Sequence, residues 1–186
     1  MSSNYKFRDP DQLYFVTFSV VYWIDLFIRK EYRDILLKSW EFCKSQKGME
    51  LYAWCIMTSH VHMIIGSNQE KPEDIMRDMK KYTSFELKKA IGEYYGESRK
   101  EWMLSMMEEA GRDNTHSRNF QLWQEGNHPV ELTSAAIMHQ KLDYVHNNPV
   151  EAGIVEKPED YLYSSARNYY GGKGLIDVII LDPILV

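Results

Sequence analysis

The chain is 186 residues long and 44% hydrophobic, with 22 Lys and Arg against 27 Asp and Glu, a formal net charge of −5. That length suits one domain, 1–186, with a core of its own, and the acidic balance excludes a broad, sequence-blind electrostatic grip on nucleic acid, though not a local one. No stretch approaches the ~20 apolar residues that cross a bilayer, and the start, Met1 to Lys6, lacks a hydrophobic signal segment, so a soluble cytoplasmic protein is expected. The two cysteines, Cys43 and Cys55, have neither a repeated spacing nor histidine partners at zinc-finger spacing, and they read as buried apolar thiols.

In chain order, residues 13–20 alternate in side-chain type and predict a strand. Residues 30–47 place Ile35, Leu36, Trp40 and Cys43 on one helical stripe, closed by Gly48. Residues 49–57 and 60–65 give two adjacent strands, a hairpin turned at Thr58 and Ser59. A long helix follows from Pro72 to about Tyr95. Residues 96–119 are polar and predict a mobile excursion with at most one short helix, around Trp102-Met103-Leu104 and Met106-Met107. Residues 120–124 predict a fourth strand. Residues 134–148 predict a helix carrying Ile137, Met138, Leu142 and Val145 and ended by Pro149, and residues 178–181 a short C-terminal strand. Strand, helix, two strands, helix, strand is an α+β pattern, an antiparallel sheet with helices packed on it.

Two segments carry chemistry. In Met57-Thr58-Ser59-His60-Val61-His62-Met63-Ile64-Ile65, strand geometry sends His60 and His62 to the same face, their Cα atoms roughly 6.5–7 Å apart, close enough for two imidazoles to meet one ion. Alone, such a pair is more often two surface or internally satisfied histidines. About eighty residues on stands Leu142-Asp143-Tyr144-Val145-His146-Asn147-Asn148-Pro149, where Tyr144 and Asn148 are one helical turn apart on one face. His146 falls across the helix from Tyr144, which speaks against a general-base role. On its own, Asn148 also fits a helix C-cap ahead of proline, a use compatible with others. The helix-like run from Pro72 carries Arg77, Lys80, Lys81 and Lys88 at spacings near three, four or their multiples, a candidate DNA-binding stripe interleaved with Glu73, Asp74, Asp78 and Glu86.

The second segment, with Val150, Ala152-Gly153 and Val155 after it, closely resembles the tyrosine-bearing segment of REP-associated and single-tyrosine (HUH) transposases of the IS200-like kind. The histidine stretch resembles the same family's metal motif. Leu122-Trp123-Gln124-Glu125-Gly126-Asn127-His128 resembles its Trp-Gln-Glu-Gly-x-His segment, and Tyr163-Ser164-Ser165-Ala166 with Tyr169-Tyr170-Gly171 its closing signature. The resemblance runs from about Leu13 to Gly171. It implies a ferredoxin-like HUH fold and a metal-dependent single-stranded DNA endonuclease and strand transferase acting on hairpin (REP-like) DNA. In that scheme His60, His62 and Asn148 hold Mg²⁺ or Mn²⁺, and Tyr144 attacks the scissile phosphate to leave a 5′-phosphotyrosine. Glu125 and His128 are candidates for supporting or DNA contacts. Within the family both monomers and a homodimer that exchanges its tyrosine helices are found. Two alternatives stand beside this: a hairpin-binding protein that keeps the fold without turnover, and a phosphoesterase using the same histidines with water as nucleophile.

Overall fold

The computed structural model describes residues 6–112 and 119–181. Strand β1 (Tyr14–Ser19) leads through two short 3₁₀ turns to helix α1 (Lys30–Lys47), and the hairpin β2 (Met49–Ile56) and β3 (His60–Ser67) follows. Helices α2 (Pro72–Glu93) and α3 (Lys100–Arg112) come next, then the two-residue strand β4 (Val130–Glu131), α4 (Ala135–Glu151) and the short α5 (Ala166–Tyr169). The sheet order is β2-β3-β1-β4 with all pairings antiparallel. This is the ferredoxin-like α+β arrangement expected.

Register fixes which helix covers which face. Trp54 pairs with Met63 across β2 and β3, and the Trp54 ring packs edge-on against Trp40 of α1 at 5.4 Å. So α1, with α2 beside it, covers the face bearing Met63. The neighbours of Met63 on β3 point the other way, because strand side chains alternate. His62 pairs with Thr17 on β1, and its ring meets Tyr144 of α4. The two histidines therefore face α4, on the side of the sheet opposite α1.

Local sequence explains the element ends. Gly48 closes α1 in the left-handed conformation (φ 69°), where a Cβ would fall 2.5 Å from the Asn68 side-chain oxygen. Ser134 caps α4, its hydroxyl accepting from the Ile137 N–H.

Five expectations need correction. Residues 120–124 are not a ladder strand: only Trp123 bridges, to Val20. Its indole turns inward, stacking on Phe27 and donating Nε1 to Thr83 Oγ1 at 3.1 Å, and the chain then leaves the sheet through Gly126 (φ 82°) and His128 (φ 42°) before pairing again as β4. Pro149 does not end α4, which runs on to Glu151 with the Ala152 N–H bonded to the Asn148 carbonyl, so Asn148 is not the C-cap. The polar excursion holds a thirteen-residue helix, α3, whose Met103 and Met107 are buried one turn apart; residues 113–118 of that stretch lie outside the described residues. Residues 178–181 run beside β2 with a single backbone bond, Ile179 N–H to the Leu51 carbonyl, and form no strand. Finally, α2 stops at Glu93 rather than Tyr95.

Irregular chain covers the β2 edge and the part of β1 that the short β4 leaves open. Along β1, Leu122, Gln124 and Asn127 exchange backbone bonds with Val21, Ser19 and Thr17. Along β2, Tyr163 and Ser165 bond Ile56 and Trp54, and Ile179 bonds Leu51.

A buried ionic knot ties the start of α1 to the start of α3. The Glu97 side chain is fully enclosed and accepts from Arg29 Nε (2.7 Å), Arg99 Nε (2.9 Å) and the Tyr32 hydroxyl (3.2 Å). Arg99 above all, then Arg29, pulls its carboxyl down to about 2. Because the folded value lies below the ordinary 4.5, the stabilisation is fully present above pH 4.5 and is lost as pH falls toward 2. Glu97→Ala is expected to cost about 3–5 kcal/mol in denaturant unfolding at neutral pH, since two part-buried guanidinium groups lose their counter-charge. The variant should also lose the wild type's stability decline between those pH values.

Candidate active site

The site is built where β1, β3 and α4 meet. His60 and His62 lie with ring centroids 4.8 Å apart. His62 is only 3% exposed, sandwiched between the parallel ring of Phe15 at 5.7 Å and the edge of Tyr144 at 5.1 Å. Its Nδ1 is 2.7 Å from Thr17 Oγ1, the residue opposite it in register. When Nδ1 carries the ring proton it donates to that hydroxyl, and Nε2 keeps its lone pair. Nε2 is buried and meets no hydrogen-bond partner among the described residues. His60 leans on Ser59 Oγ through Nδ1 at 3.2 Å and faces the Trp23 ring edge at 5.5 Å, and the Asn148 side chain is close enough to act on its protonation.

Burial keeps both rings neutral. Desolvation drives His62 down to about 3, with the His60 ring and the Lys141 ammonium adding to it. His60 is also lowered by desolvation, opposed by the nearby Asn148 side chain. At neutral pH the pair therefore offers lone pairs rather than positive charge.

The donor set fits a divalent ion. Among the described residues no three His, Cys, Asp or Glu side chains cluster to hold a metal, so any third protein donor must come from elsewhere, and the amide of Asn148 stands at His60. Two imidazoles and one amide oxygen leave coordination positions on such an ion for water and phosphate oxygens. The partnerless Nε2 of His62 is the observation that favours this use, because a buried lone pair without a donor is otherwise costly.

A sequence model of the family described as "Transposase IS200 like" matches residues 13–148. The chain belongs to the IS200-like transposase family. No curated protein matches it. Among solved structures, a REP-associated tyrosine transposase bound to a REP hairpin is similar over 98% of this chain and 96% of that one, with TM-score 0.63 and 17% identity. A transposase from Deinococcus radiodurans R1 is similar over 73% of this chain and 88% of that one, at TM-score 0.43 and 18% identity. At these identities the likeness of the first extends the family's fold across nearly the whole chain.

In this family member, His60, His62, Tyr144 and Asn148, two pairs from distant parts of the sequence, come together on one face. His146 lies on the far side of α4, buried, with Nε2 2.9 Å from Ser165 Oγ. The cationic residues of α2 do not form one solvated stripe. Lys80 turns inward to donate to the carbonyls of Gln124 and Gly126 and to Asn127 Oδ1 (3.1, 3.1 and 2.9 Å), and burial pushes its amine down to about 8. Arg77 is paired with Asp74 and Asp78, and Lys88 sits over the Phe120 ring at 4.4 Å; Lys81 is exposed. Glu125 and His128 are exposed on the loop that Lys80 holds, whose Asn127 carbonyl accepts from the Thr17 N–H.

Three residues at the site went unnoticed in the sequence. Thr17 is visible only through register. Lys141 lies one turn before Tyr144, with Nζ 4.8 Å from the Phe15 ring and 5.7 Å from the Tyr144 ring, and the spacing of three could have revealed it. Trp23 sits in an irregular turn, where no periodicity applies.

Proposed function

We propose that this chain is a metal-dependent single-stranded DNA endonuclease and strand transferase that works through a 5′-phosphotyrosine, on DNA carrying a hairpin. The observation that carries the reading is Tyr144, on the helix that also brings Asn148 to His60, standing with its ring 5.1 Å from His62 and its side chain 41% exposed. A phenol beside a pair of neutral imidazoles, open to solvent on its other side, suits attack on a phosphodiester.

His60, His62 and Asn148 would hold Mg²⁺ or Mn²⁺, which supplies polarisation of a non-bridging phosphate oxygen and neutralises charge as the phosphorus becomes five-coordinate. Thr17 holds the His62 ring through Nδ1 and leaves Nε2 as the lone pair for the ion. Lys141 offers a cation to a second phosphate oxygen. The Tyr144 hydroxyl gives up its proton to solvent as its oxygen bonds to phosphorus, the bond from phosphorus to the 3′-oxygen breaks, and that oxygen takes a proton back from solvent to leave as a 3′-hydroxyl. A second strand's 3′-hydroxyl reverses the step, so no nucleotide cofactor is needed. Within one chain α4 carries Tyr144 to the histidines, and a homodimer that exchanges α4 would bring the same groups together. Support for a hairpin substrate is the hairpin bound in the similar transposase structure.

The test is incubation with end-labelled single-stranded DNA containing hairpins from the flanks of the gene, with Mg²⁺ or Mn²⁺, and separation on a denaturing protein gel. A labelled protein band that appears with either ion and vanishes with chelator is expected. Binding without such a band, in both ions and on both flanks, would hand the case to a non-catalytic hairpin-binding protein.

A further inference from the structure

The turn between β1 and α1 is built in a way that packing alone does not explain. Val20, Val21 and Ile24 are buried, yet the two residues between them, Tyr22 and Trp23, are 48% and 57% exposed. Both take positive φ, 54° and 55°, a conformation that large side chains rarely adopt. Backbone bonds on either side hold the strain in place: Val20 N–H to the Ser59 carbonyl, Val21 N–H to Leu122, and Trp23 N–H back to Val20. The result is a pair of aromatic rings pushed out of the core at the lip of the site, with the Trp23 ring 5.5 Å from His60.

Beside them opens a cleft of about 450 Å³ lined by Tyr22, Trp23, Ala110, Gln121, Gln124 and Glu125. Two of its amides are held in place, Gln121 donating to the Trp123 carbonyl and Gln124 to the Val20 carbonyl. Lys80 anchors the carbonyls of Gln124 and Gly126 around Glu125. An exposed carboxylate in such a cleft repels a phosphate but accepts a hydrogen bond from an exocyclic amine. Aromatic faces with a carboxylate beside them suit a base rather than a backbone.

We propose that this cleft takes one unpaired nucleobase next to the phosphate held at His60 and His62, stacked on Trp23 and Tyr22, with Glu125 favouring a base that carries an exocyclic amine. The assignment rests on the DNA-cleaving reading for its substrate class but not for its readout. Stacking places a flanking nucleotide so that only one phosphodiester is presented to Tyr144, and it gives an acidic protein affinity for single strands without a broad basic surface.

The experiment uses the full chain carrying Tyr144→Phe, Mg²⁺, and a single-stranded hairpin oligonucleotide with 2-aminopurine walked one position at a time through both flanks. Fluorescence quenching confined to one or two adjacent positions is expected, lost in Trp23→Ala and kept in Trp23→Phe. An abasic site at that position should weaken binding between about 5- and 150-fold while Trp23 is present and cost Trp23→Ala almost nothing further. Abasic substitution does not depend on any Trp23 variant folding. Quenching that survives Trp23→Ala, equal abasic losses with and without Trp23, or no quenching at any position overturns the proposal. A position-specific quench in a wild-type protein that forms no covalent band sinks the catalytic reading and leaves the base cleft standing; a covalent band with no Trp23-dependent position does the reverse.

Discussion

Replacing Tyr144 by Phe is expected to abolish the covalent protein–DNA species, with a rate loss on the order of 10⁴-fold or more, the scale seen when a covalent nucleophile is removed. The change deletes one oxygen from a residue that is 41% exposed, and among the described residues that hydroxyl makes no side-chain hydrogen bond. Stability should therefore stay within about 0.5 kcal/mol of wild type, and hairpin binding should persist. This separation gives the variant its force. Were water the nucleophile, the variant would still cleave and its products would end in free 5′-phosphates. End-group analysis of the products, beside the denaturing gel, distinguishes the two chemistries.

The second large effect is expected at His62. His62→Ala should remove Mn²⁺ binding as followed by titration calorimetry or electron paramagnetic resonance, and with it the metal-dependent band. Thr17→Val should weaken the ion by about 10- to 100-fold while leaving His62 in place, since only the bond that orients the ring is lost. His146→Gln is the contrasting substitution, because that imidazole faces Ser165 on the other side of α4. Metal binding that survives His62→Ala unchanged would remove the ion from this site.

Much of the frame was legible in the amino-acid sequence because the physics there is local. Alternation marks β1, an apolar and aromatic run marks β2, β-branched residues mark β3, and Gly48 marks the end of α1. Tyr144 and Asn148 share a face by helical geometry alone, and His60 and His62 by strand geometry. The misses have non-local causes. At two residues, β4 is too short to leave a pattern, while Trp123 looks like strand yet is committed to the core by Thr83 and Phe27. Pro149 suggests a stop, but in the last turn of α4 the bonds around it are supplied by residues further on. Lys80 falls on the expected face of α2 by periodicity, and only the fold reveals the carbonyls it serves. The Tyr22–Trp23 turn belongs to no repeat, so its place at the lip of the site emerges only when the backbone is seen.

The family match ends at Asn148, yet the chain that bonds Trp54, Ile56 and Leu51 along β2 lies entirely beyond that point. A fragment trimmed to the matching region would keep all four proposed site residues and lay bare the amide row of a long, apolar strand. Such a row is a template for another copy of itself. The chain from Tyr163 to Ile179 is thus a guard against polymerisation: without it, β2 would be open to pairing edge to edge with another copy, the histidines and tyrosine still in the sequence.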